Sequence, residues 1–430
     1  MSLEMLERYR SSLFVKGFLS LFAGSAIAQL IPLILSPFIS RAFSVEDVAV
    51  YGLYFSIVST FSVIASGRYE MAVVLPKTNE DSIRLVYLSV VFAFITAFVS
   101  LIVIILFGSE ISDLLNNTRI QDWLILIPLS LFSVGVYQAF NFWLIRQKAF
   151  MASSFNKVAQ RSFEGVSTIY YGLTIKGGGL IISDIIGRYS MLLIAIYQAR
   201  KRGFFHVSFS WLEMKRLAKL YKSFPLNFGL SSLANSAGAH LPLLFISIAF
   251  QSLTVGYFNL MKYVLSAPVA FISRNIAQVF LERLAEKWRS NQPVSADFIR
   301  LTGLMTVIAI LFVVPIAVFG EDIFYLVFGE GWGEAGQYAQ IMVVSFGLRF
   351  VVSPLSSLLN AINKVNVASY WQWAYFISIL TLVPISRLDI SILDFLVYYT
   401  SIESFMYIIY WGLIYYQAKS HDEKLISDAD

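Results

Sequence analysis

Three cationic side chains inside apolar stretches of this chain are candidates for binding a ligand. Arg188, Lys262 and Arg349 each fall within an apolar run long enough for a membrane helix. An ionisable group in such a helix is costly and is a candidate for function, here the binding of an anionic group. All three have a structural alternative, which is an ion pair or extension of the charged end to the membrane surface. Arg188 follows Asp184 by four residues, the spacing of a helical ion pair, and Lys262 could extend its amine to the membrane surface.

Acidic and titratable side chains in the same stretches could carry a coupling ion, either H+ or Na+. Glu403 is an isolated acid in the last apolar run, and Asp184 lies in the sixth. Glu164 follows Arg161 by three residues, which is also the spacing of a local salt bridge. His240 could titrate near neutral pH. For each of these candidates, an ion pair or a hydrogen bond with a structural role is the alternative interpretation.

A second group of charged residues lies at predicted cytoplasmic helix ends. These residues could make the first contact with an anionic substrate or form a gate, and Arg68 could also join the cationic site. The alternative is anchoring at the cytoplasmic surface, where lysine and arginine accumulate in any membrane protein. The group consists of Arg68, Glu70, Arg146, Lys148 and Arg274.

The elements that position these residues are predicted from composition. The 430 residues are 57% hydrophobic and 14% charged, whereas soluble domains carry about 25% charged residues. The charges are clustered and leave apolar runs of about 20 residues, the length of a membrane-spanning helix. The sequence therefore predicts an all-α integral membrane protein with about twelve transmembrane helices. The predicted segments are 14–40, 48–67, 85–107, 123–145, 153–175, 178–198, 224–249, 254–280, 300–319, 336–360, 366–386 and 391–416.

The composition also excludes several kinds of chemistry. The chain has no cysteine and three histidines, which excludes disulfides, thiolate metal sites and a histidine-rich metal centre. No metal or other cofactor is predicted, apart from the coupling ion. The net charge of +5 is explained by membrane topology rather than by nucleic acid, which is not expected as a partner.

The distribution of lysine and arginine predicts the topology. With the N-terminus in the cytoplasm, cytoplasmic tails and loops hold roughly 25 of the 32 basic residues. The opposite loops hold only about four, an asymmetry that follows the positive-inside rule. Both termini are therefore expected in the cytoplasm, which requires an even number of transmembrane helices.

The two halves of the sequence resemble each other. Residues 50–55 open the second segment with Val-Tyr-Gly-Leu-Tyr-Phe, and residues 255–258 open the eighth with Val-Gly-Tyr-Phe. Residues 107–111 end the third segment with Phe-Gly-Ser-Glu-Ile, and residues 319–323 end the ninth with Phe-Gly-Glu-Asp-Ile. Since the order is the same and the offset is six segments, the halves are predicted to be parallel repeats.

The repeat predicts the domain organisation. We expect an N-terminal six-helix bundle over 1–205 and a C-terminal six-helix bundle over 224–430, pseudo-symmetric around a central cavity. Between them, 206–223 combines basic residues with apolar residues at helical spacing, which is typical of an amphipathic helix on an anionic membrane surface.

One stretch of sequence carries a family resemblance. Residues 67–78, Gly-Arg-Tyr-Glu-Met-Ala-Val-Val-Leu-Pro-Lys-Thr, lie between the second and third segments. They resemble the signature of the Wzx-like polysaccharide-transport flippases. These belong to the multidrug/oligosaccharidyl-lipid/polysaccharide exporter superfamily, which also holds multidrug extruders and lipid II flippases. The resemblance extends over the whole chain, through the twelve predicted helices and the basic loop between the halves.

The resemblance implies a function. Such proteins move undecaprenyl-diphosphate-linked oligosaccharide units from the cytoplasmic to the periplasmic leaflet of the bacterial inner membrane, for assembly of O-antigen, the lipopolysaccharide glycan, or of another surface polysaccharide. The implied partners are this substrate and membrane lipid, with the polymerase and chain-length proteins of the pathway as further candidates. The alternatives are a proton- or sodium-coupled multidrug extruder and a membrane polysaccharide polymerase or ligase. Since no nucleophile and base stand out, we expect a transporter and not an enzyme.

Overall fold

The computed structural model describes residues 28–362, 364–386 and 388–427, and the regular structure in these ranges is helical. The part of the first predicted segment before residue 28 lies outside the described residues. Helices are numbered in chain order. They are α1 Ala28–Ala42, α2 Val45–Ser62, α3 Asn79–Leu114, α4 Gln121–Leu124, α5 Ile127–Arg146, α6 Phe150–Leu173, α7 Gly179–Lys201, α8 Trp211–Leu220, α9 Leu230–Ala249, α10 Ser252–Pro268, α11 Arg274–Arg289, α12 Ser295–Phe328, α13 Gly333–Leu355, α14 Ser357–Ala361, α15 Val365–Leu380, α16 Leu382–Ser386 and α17 Ile392–Ser427.

Each predicted segment is helical over most of its described part, and the fourth, eighth, tenth and eleventh segments each extend over two consecutive helices. Within the described residues, seven stretches are long and apolar enough to cross a membrane. They are Asn79–Leu114, Ile127–Arg146, Gly179–Lys201, Phe224–Ala249, Ser295–Phe328, Glu330–Ala361 and Ile392–Glu423. An all-helical, multi-pass membrane protein is thereby confirmed. The number of twelve transmembrane helices stays a prediction, because helices such as α6 and α10 are shorter or more polar than these seven.

The chain divides into two units, Met1–His240 and Leu241–Asp430. The predicted linker, 206–223, lies in the first unit, where α8 buries Met214 and Leu217 against the core. Its exposed side retains the basic residues. The predicted domain boundaries at 205 and 224 stay a prediction.

The core of the first unit holds the family-like stretch, residues 67–78, in place. Trp143 of α5 is fully buried, and its ring packs edge-on against Phe204 with centroids 5.1 Å apart. One turn further along α5, Arg146 donates to the backbone carbonyls of Val74 at 3.1 Å and Thr78 at 3.0 Å. The end of α5 therefore clamps the stretch between α2 and α3, and this contact gives Arg146 a structural role.

The helices α3 and α12, which correspond to the third predicted segment of each half, bend at the same place. Phe107 in α3 has non-helical angles (φ −130°, ψ 18°), and Phe319 in α12 has almost the same ones (φ −118°, ψ 19°). These are the two phenylalanines that the sequence comparison pairs. The agreement shows that the similarity between the halves extends to local backbone geometry.

Close packing of α12 and α13 depends on two facing glycines. A Cβ on Gly336 would meet the Gly320 carbonyl oxygen and lie 2.6 Å from the Glu321 Cα. We therefore expect Gly336→Ala to lower the free energy of unfolding by about 1–3 kcal/mol, the usual effect of overpacking. Gly303→Ala on α12 is the matched control, because no atom lies within 4 Å of its added Cβ. Alanine should stabilise that helix by roughly 0.5–1 kcal/mol. Denaturant unfolding in detergent measures both, and equal effects would contradict the prediction.

Candidate functional site

A cluster of four charges lies between two helices of the first unit. On α6, Arg161 Nη1 lies 2.7 Å from Glu164 Oε2, and on α7, Arg188 Nε lies 2.5 Å from Asp184 Oδ2. The two pairs interact electrostatically with each other. Two acids balance two bases, so the cluster carries no net charge.

A glycine permits this arrangement. A Cβ on Gly187 would lie 2.8 Å from the Gln160 carbonyl oxygen and 2.9 Å from the Glu164 Cβ, so only glycine lets α7 approach α6 here. Arg188 and Asp184 are both buried. Arg188 therefore forms the ion pair with Asp184 that its sequence spacing permits. Arg161 and Glu164 form the corresponding pair on α6.

A second cluster, in the second unit, surrounds Glu403 of α17, which is 2% exposed. Its carboxylate accepts hydrogen bonds from the hydroxyls of Tyr375 at 2.6 Å, Ser345 at 3.0 Å and Tyr399 at 3.3 Å. Three helices, α13, α15 and α17, supply these donors. Both carboxylate oxygens are therefore satisfied by hydroxyl groups.

Two cations belong to this cluster. Lys262 of α10 and Arg349 of α13 interact electrostatically with each other and with Glu403. Both side chains are half-buried. Among the described residues, no carboxylate forms an ion pair with Arg349. Among the described residues, two bases interact here with the same acid in helices of an apolar bundle, and this cluster is the better candidate for binding an anion.

The stretch between α2 and α3 contains two further candidates. Arg68 has left-handed backbone angles (φ 61°), and its Nη1 lies 3.6 Å from Glu70 Oε1. Glu70 is buried and accepts a hydrogen bond of 2.7 Å from the Ser66 hydroxyl. Within the described part of the chain, Arg68 Nε and Glu70 Oε1 are buried without a hydrogen-bond partner.

The remaining candidates are not drawn into either cluster. Lys148 is exposed and has left-handed angles (φ 56°) where α5 ends. The His240 ring packs edge-on against Phe55 with centroids 6.0 Å apart. Arg274 begins α11, and its side chain lies outside the described residues. Across the described ranges, no group of three or more His, Asp or Glu side chains could hold a metal ion.

Several residues of the Glu403 cluster escaped the sequence interpretation. Tyr399 and Tyr407 lie four residues to either side of Glu403, and Ser345 lies four residues before Arg349. That spacing places them on one helix face and could have identified them. Tyr375 carries no comparable signal, because it reaches Glu403 from another helix.

Burial raises the pKa of the Glu70 carboxyl above its ordinary value of 4.5. The folded state thus holds this proton at a higher pH than the unfolded chain. Its contribution to stability is complete below the ordinary pKa and is lost as the pH rises through the raised pKa. Thermal unfolding measured as a function of pH tests this assignment. We expect the Glu70→Gln variant to lack this loss of stability with rising pH, because glutamine has no proton to release. Exposed Glu80→Gln is the control and should follow the wild type, whereas parallel curves for wild type and Glu70→Gln would contradict the assignment.

Solved structures define the class of fold. A multidrug resistance MATE family transporter of the MOP superfamily, in its inward-facing conformation, aligns with a TM-score of 0.72 and 12% identity over 94% of this chain and 95% of that one. The lipid II flippase MurJ, in an inward closed conformation, aligns with a TM-score of 0.69 and 12% identity over 92% of this chain and 86% of that one. The protein therefore has the fold of the MOP superfamily transporters.

Sequence comparison identifies the family. The profile of the polysaccharide biosynthesis protein family matches residues 16–337, and the chain belongs to this family. It is 23% identical over 219 residues to an uncharacterized membrane protein in the cps region of Klebsiella pneumoniae, covering 51% of this chain and 44% of the relative. It is 24% identical over 146 residues to the teichuronic acid biosynthesis protein TuaB of Bacillus subtilis strain 168, covering 34% and 30%. The matches span less than half of either relative. The predicted family relationship is confirmed.

Proposed function

We propose that this protein is a flippase that moves undecaprenyl-diphosphate-linked oligosaccharide units, of O-antigen or another surface polysaccharide, from the cytoplasmic to the outer leaflet by alternating access. The observation that carries the proposal is that, among the described residues, two bases, Lys262 and Arg349, interact with the same acid, Glu403. Membership in the polysaccharide biosynthesis family supplies the glycan part of the substrate. The fold, shared with transporters and a lipid flippase, supplies the mode of action.

The charge arrangement suits the physical difficulty of the task. A sugar–diphosphate head group cannot enter hydrocarbon, because its charges and hydroxyls would lose their water without replacement. The planar guanidinium of Arg349 can bind phosphate oxygens in a bidentate manner, and the Lys262 ammonium adds a point charge. The polyprenyl tail needs no such path, since it is soluble in the bilayer.

The sign of the charge favours this function over the alternatives. An extruder of cationic drugs needs surplus acid in its binding site, whereas the Glu403 cluster has surplus base. A polymerase or ligase finds no parallel among the solved structures that share the fold, which are transporters and a lipid flippase. We therefore propose transport without covalent chemistry, with the polymerase and chain-length proteins of the pathway as partners.

Localisation and coupling are part of the same proposal. We place the protein in the bacterial inner membrane with both termini in the cytoplasm, because this orientation puts most of the lysine and arginine on the cytoplasmic side. Glu403 is our candidate for the H+ or Na+ site. Glu403 interacts electrostatically with both Arg349 and Lys262. Binding of H+ or Na+ would neutralise the carboxylate, and both cations would then attract phosphate more strongly.

Reconstituted liposomes test the proposal. The protein is inserted into vesicles that contain a fluorescent undecaprenyl-diphosphate-linked oligosaccharide, and glycosidase added outside reports which glycans have reached the outer leaflet. We expect the protein to render the inner pool accessible at a rate well above that of protein-free vesicles. Transfer of glycan to an acceptor without translocation would favour the enzyme. Export of a fluorescent cationic drug in place of the glycan lipid would favour the extruder.

A further inference from the structure

An apolar groove runs between α12, α13 and α17, three helices of the second unit that are each long and apolar enough to cross a membrane. Its volume is about 350 Å³, within the range of about 300–1,000 Å³ that small-molecule sites occupy. The groove is lined by Ile310, Val344 and Ile408, one from each helix, and each of these side chains is about half-exposed. The groove is therefore open along one side, toward the surface of the bundle that faces lipid.

The threonine and tryptophan side chains that line the groove use their polar groups within the protein. The Thr306 hydroxyl donates to the Thr302 carbonyl at 2.8 Å, and the Thr302 hydroxyl donates to the Phe298 carbonyl at 2.9 Å. The Trp411 indole donates to the Thr302 hydroxyl at 3.3 Å. What the groove offers a ligand is consequently hydrocarbon, and the ligand it fits is a flexible apolar chain without hydrogen-bonding groups.

The floor of the groove is closed by a glycine contact. Gly347 of α13 lines the groove, and a Cβ there would lie 2.7 Å from the Val313 Cγ2 of α12. The two helices therefore touch at this level, and the space above them is a channel of limited depth. A chain could lie along it with one side against protein and the other against lipid.

The groove adjoins the cationic cluster. Tyr407 of α17 lines the groove and lies close to the Arg349 guanidinium, and Leu348, the neighbour of Arg349 in the chain, lines the groove as well. A molecule that has an anionic group at Arg349 and an apolar chain attached to it could occupy both places at once. A diphosphate joined to an isoprenoid chain is such a molecule, with its anionic group for Arg349 and its apolar chain for the groove.

We propose that the groove between α12, α13 and α17 binds the first isoprene units of the substrate's tail, next to the diphosphate. This assignment rests on the proposed function and adds to it a tail-binding site. The polyprenyl tail is thus held by the protein during transport, instead of being left entirely in the bilayer. The occupant is the polyprenyl chain because only a lipid anchored by its phosphates near Arg349 gains from both features together.

Photo-crosslinking tests the occupant. Benzoylphenylalanine is placed at Ile408, in the groove, or at Phe405, an exposed residue of the same helix outside it. The probe is radiolabelled undecaprenyl-diphosphate-linked oligosaccharide in vesicles with excess phosphatidylethanolamine and phosphatidylglycerol. We expect about tenfold more labelled product from position 408. Equal labelling from both positions would mean that only bulk lipid occupies the groove, and the proposal would fail.

Filling the groove tests its use. Thr306→Trp places an indole in the groove, while the neighbouring Val307→Trp places it on an exposed surface outside it. We expect Thr306→Trp to raise the apparent KM for the probe about tenfold, equivalent to about 1.4 kcal/mol, and Val307→Trp to leave it unchanged. Equal KM values would overturn the tail site. Selective crosslinking at position 408 without translocation by the wild type would overturn the flippase and leave the groove assignment standing.

Discussion

Replacing Arg349 with alanine is expected to reduce translocation of the lipid-linked oligosaccharide by at least about 30-fold. Arg349 interacts with Glu403 and Tyr407 and has no carboxylate in ion-pair contact among the described residues, so its charge is available to a ligand. Truncating one partner of a desolvated charge pair costs about 2–5 kcal/mol, and each 1.4 kcal/mol is a factor of ten. The liposome assay measures the change, with the protein level in the vesicles determined for each variant.

Two controls make this prediction specific. Arg349→Lys keeps the charge but removes the planar fork, and it should retain part of the activity. Lys419→Ala removes a cation from an exposed pair with Glu423, 3.8 Å away in the same unit, and should transport like the wild type. Full-rate translocation by Arg349→Ala at a normal protein level would show that the Glu403 cluster is not the substrate site.

Replacing Asp184 with asparagine is expected to lower the free energy of unfolding by about 3–5 kcal/mol. Arg188 is almost completely buried, and its Nε–Oδ2 contact of 2.5 Å to Asp184 is the pairing that compensates its charge. Glu164 cannot easily replace the lost acid, since it already pairs with Arg161 at 2.7 Å. Denaturant unfolding in detergent measures the loss.

A double variant separates structure from function in this pair. Asp184→Leu combined with Arg188→Met replaces the ion pair by apolar side chains, which is often neutral for stability. We expect the double variant to unfold like the wild type and to translocate substrate. Loss of translocation in the stable double variant would instead place Arg188 in the substrate site. Glu423→Gln, which breaks an exposed pair, is the control and should change stability by less than about 1 kcal/mol.

Hydropathy found the membrane-embedded part of each helix but not its ends. The third segment was predicted over 85–107, whereas α3 runs from Asn79 to Leu114. The extra first turn is capped by the Thr78 hydroxyl, which accepts from the Asp81 N–H at 3.2 Å, and carries Glu80 and Asp81. Acidic residues stabilise a helix N-terminus in water, so α3 continues outside the hydrocarbon. A pattern that scores only apolar residues ends too early at such a place.

The sequence identifies the candidate charged residues, but it does not show which of them lie together in one site. Charge in an apolar run identifies Arg188 and Arg349 equally well, because both have the same cost in a membrane helix. Asp184 distinguishes them only in part, since an i,i+4 spacing permits an ion pair without requiring it. The role of Arg146 could not be read from its position, because its partners are the carbonyls of Val74 and Thr78, about 70 residues away in the chain.

The sequence by itself determined that this protein is an all-helical membrane protein, where its helices lie, and to which family it belongs. These properties depend on composition, on apolar runs and on a local motif, all of which are read within a window of about 20 residues. The tertiary structure decided which charges meet. It neutralised the charges between α6 and α7 and gathered Lys262, Arg349 and Glu403 from α10, α13 and α17. The net charge at a point in a bundle is a sum over several helices, and no single helix contains it.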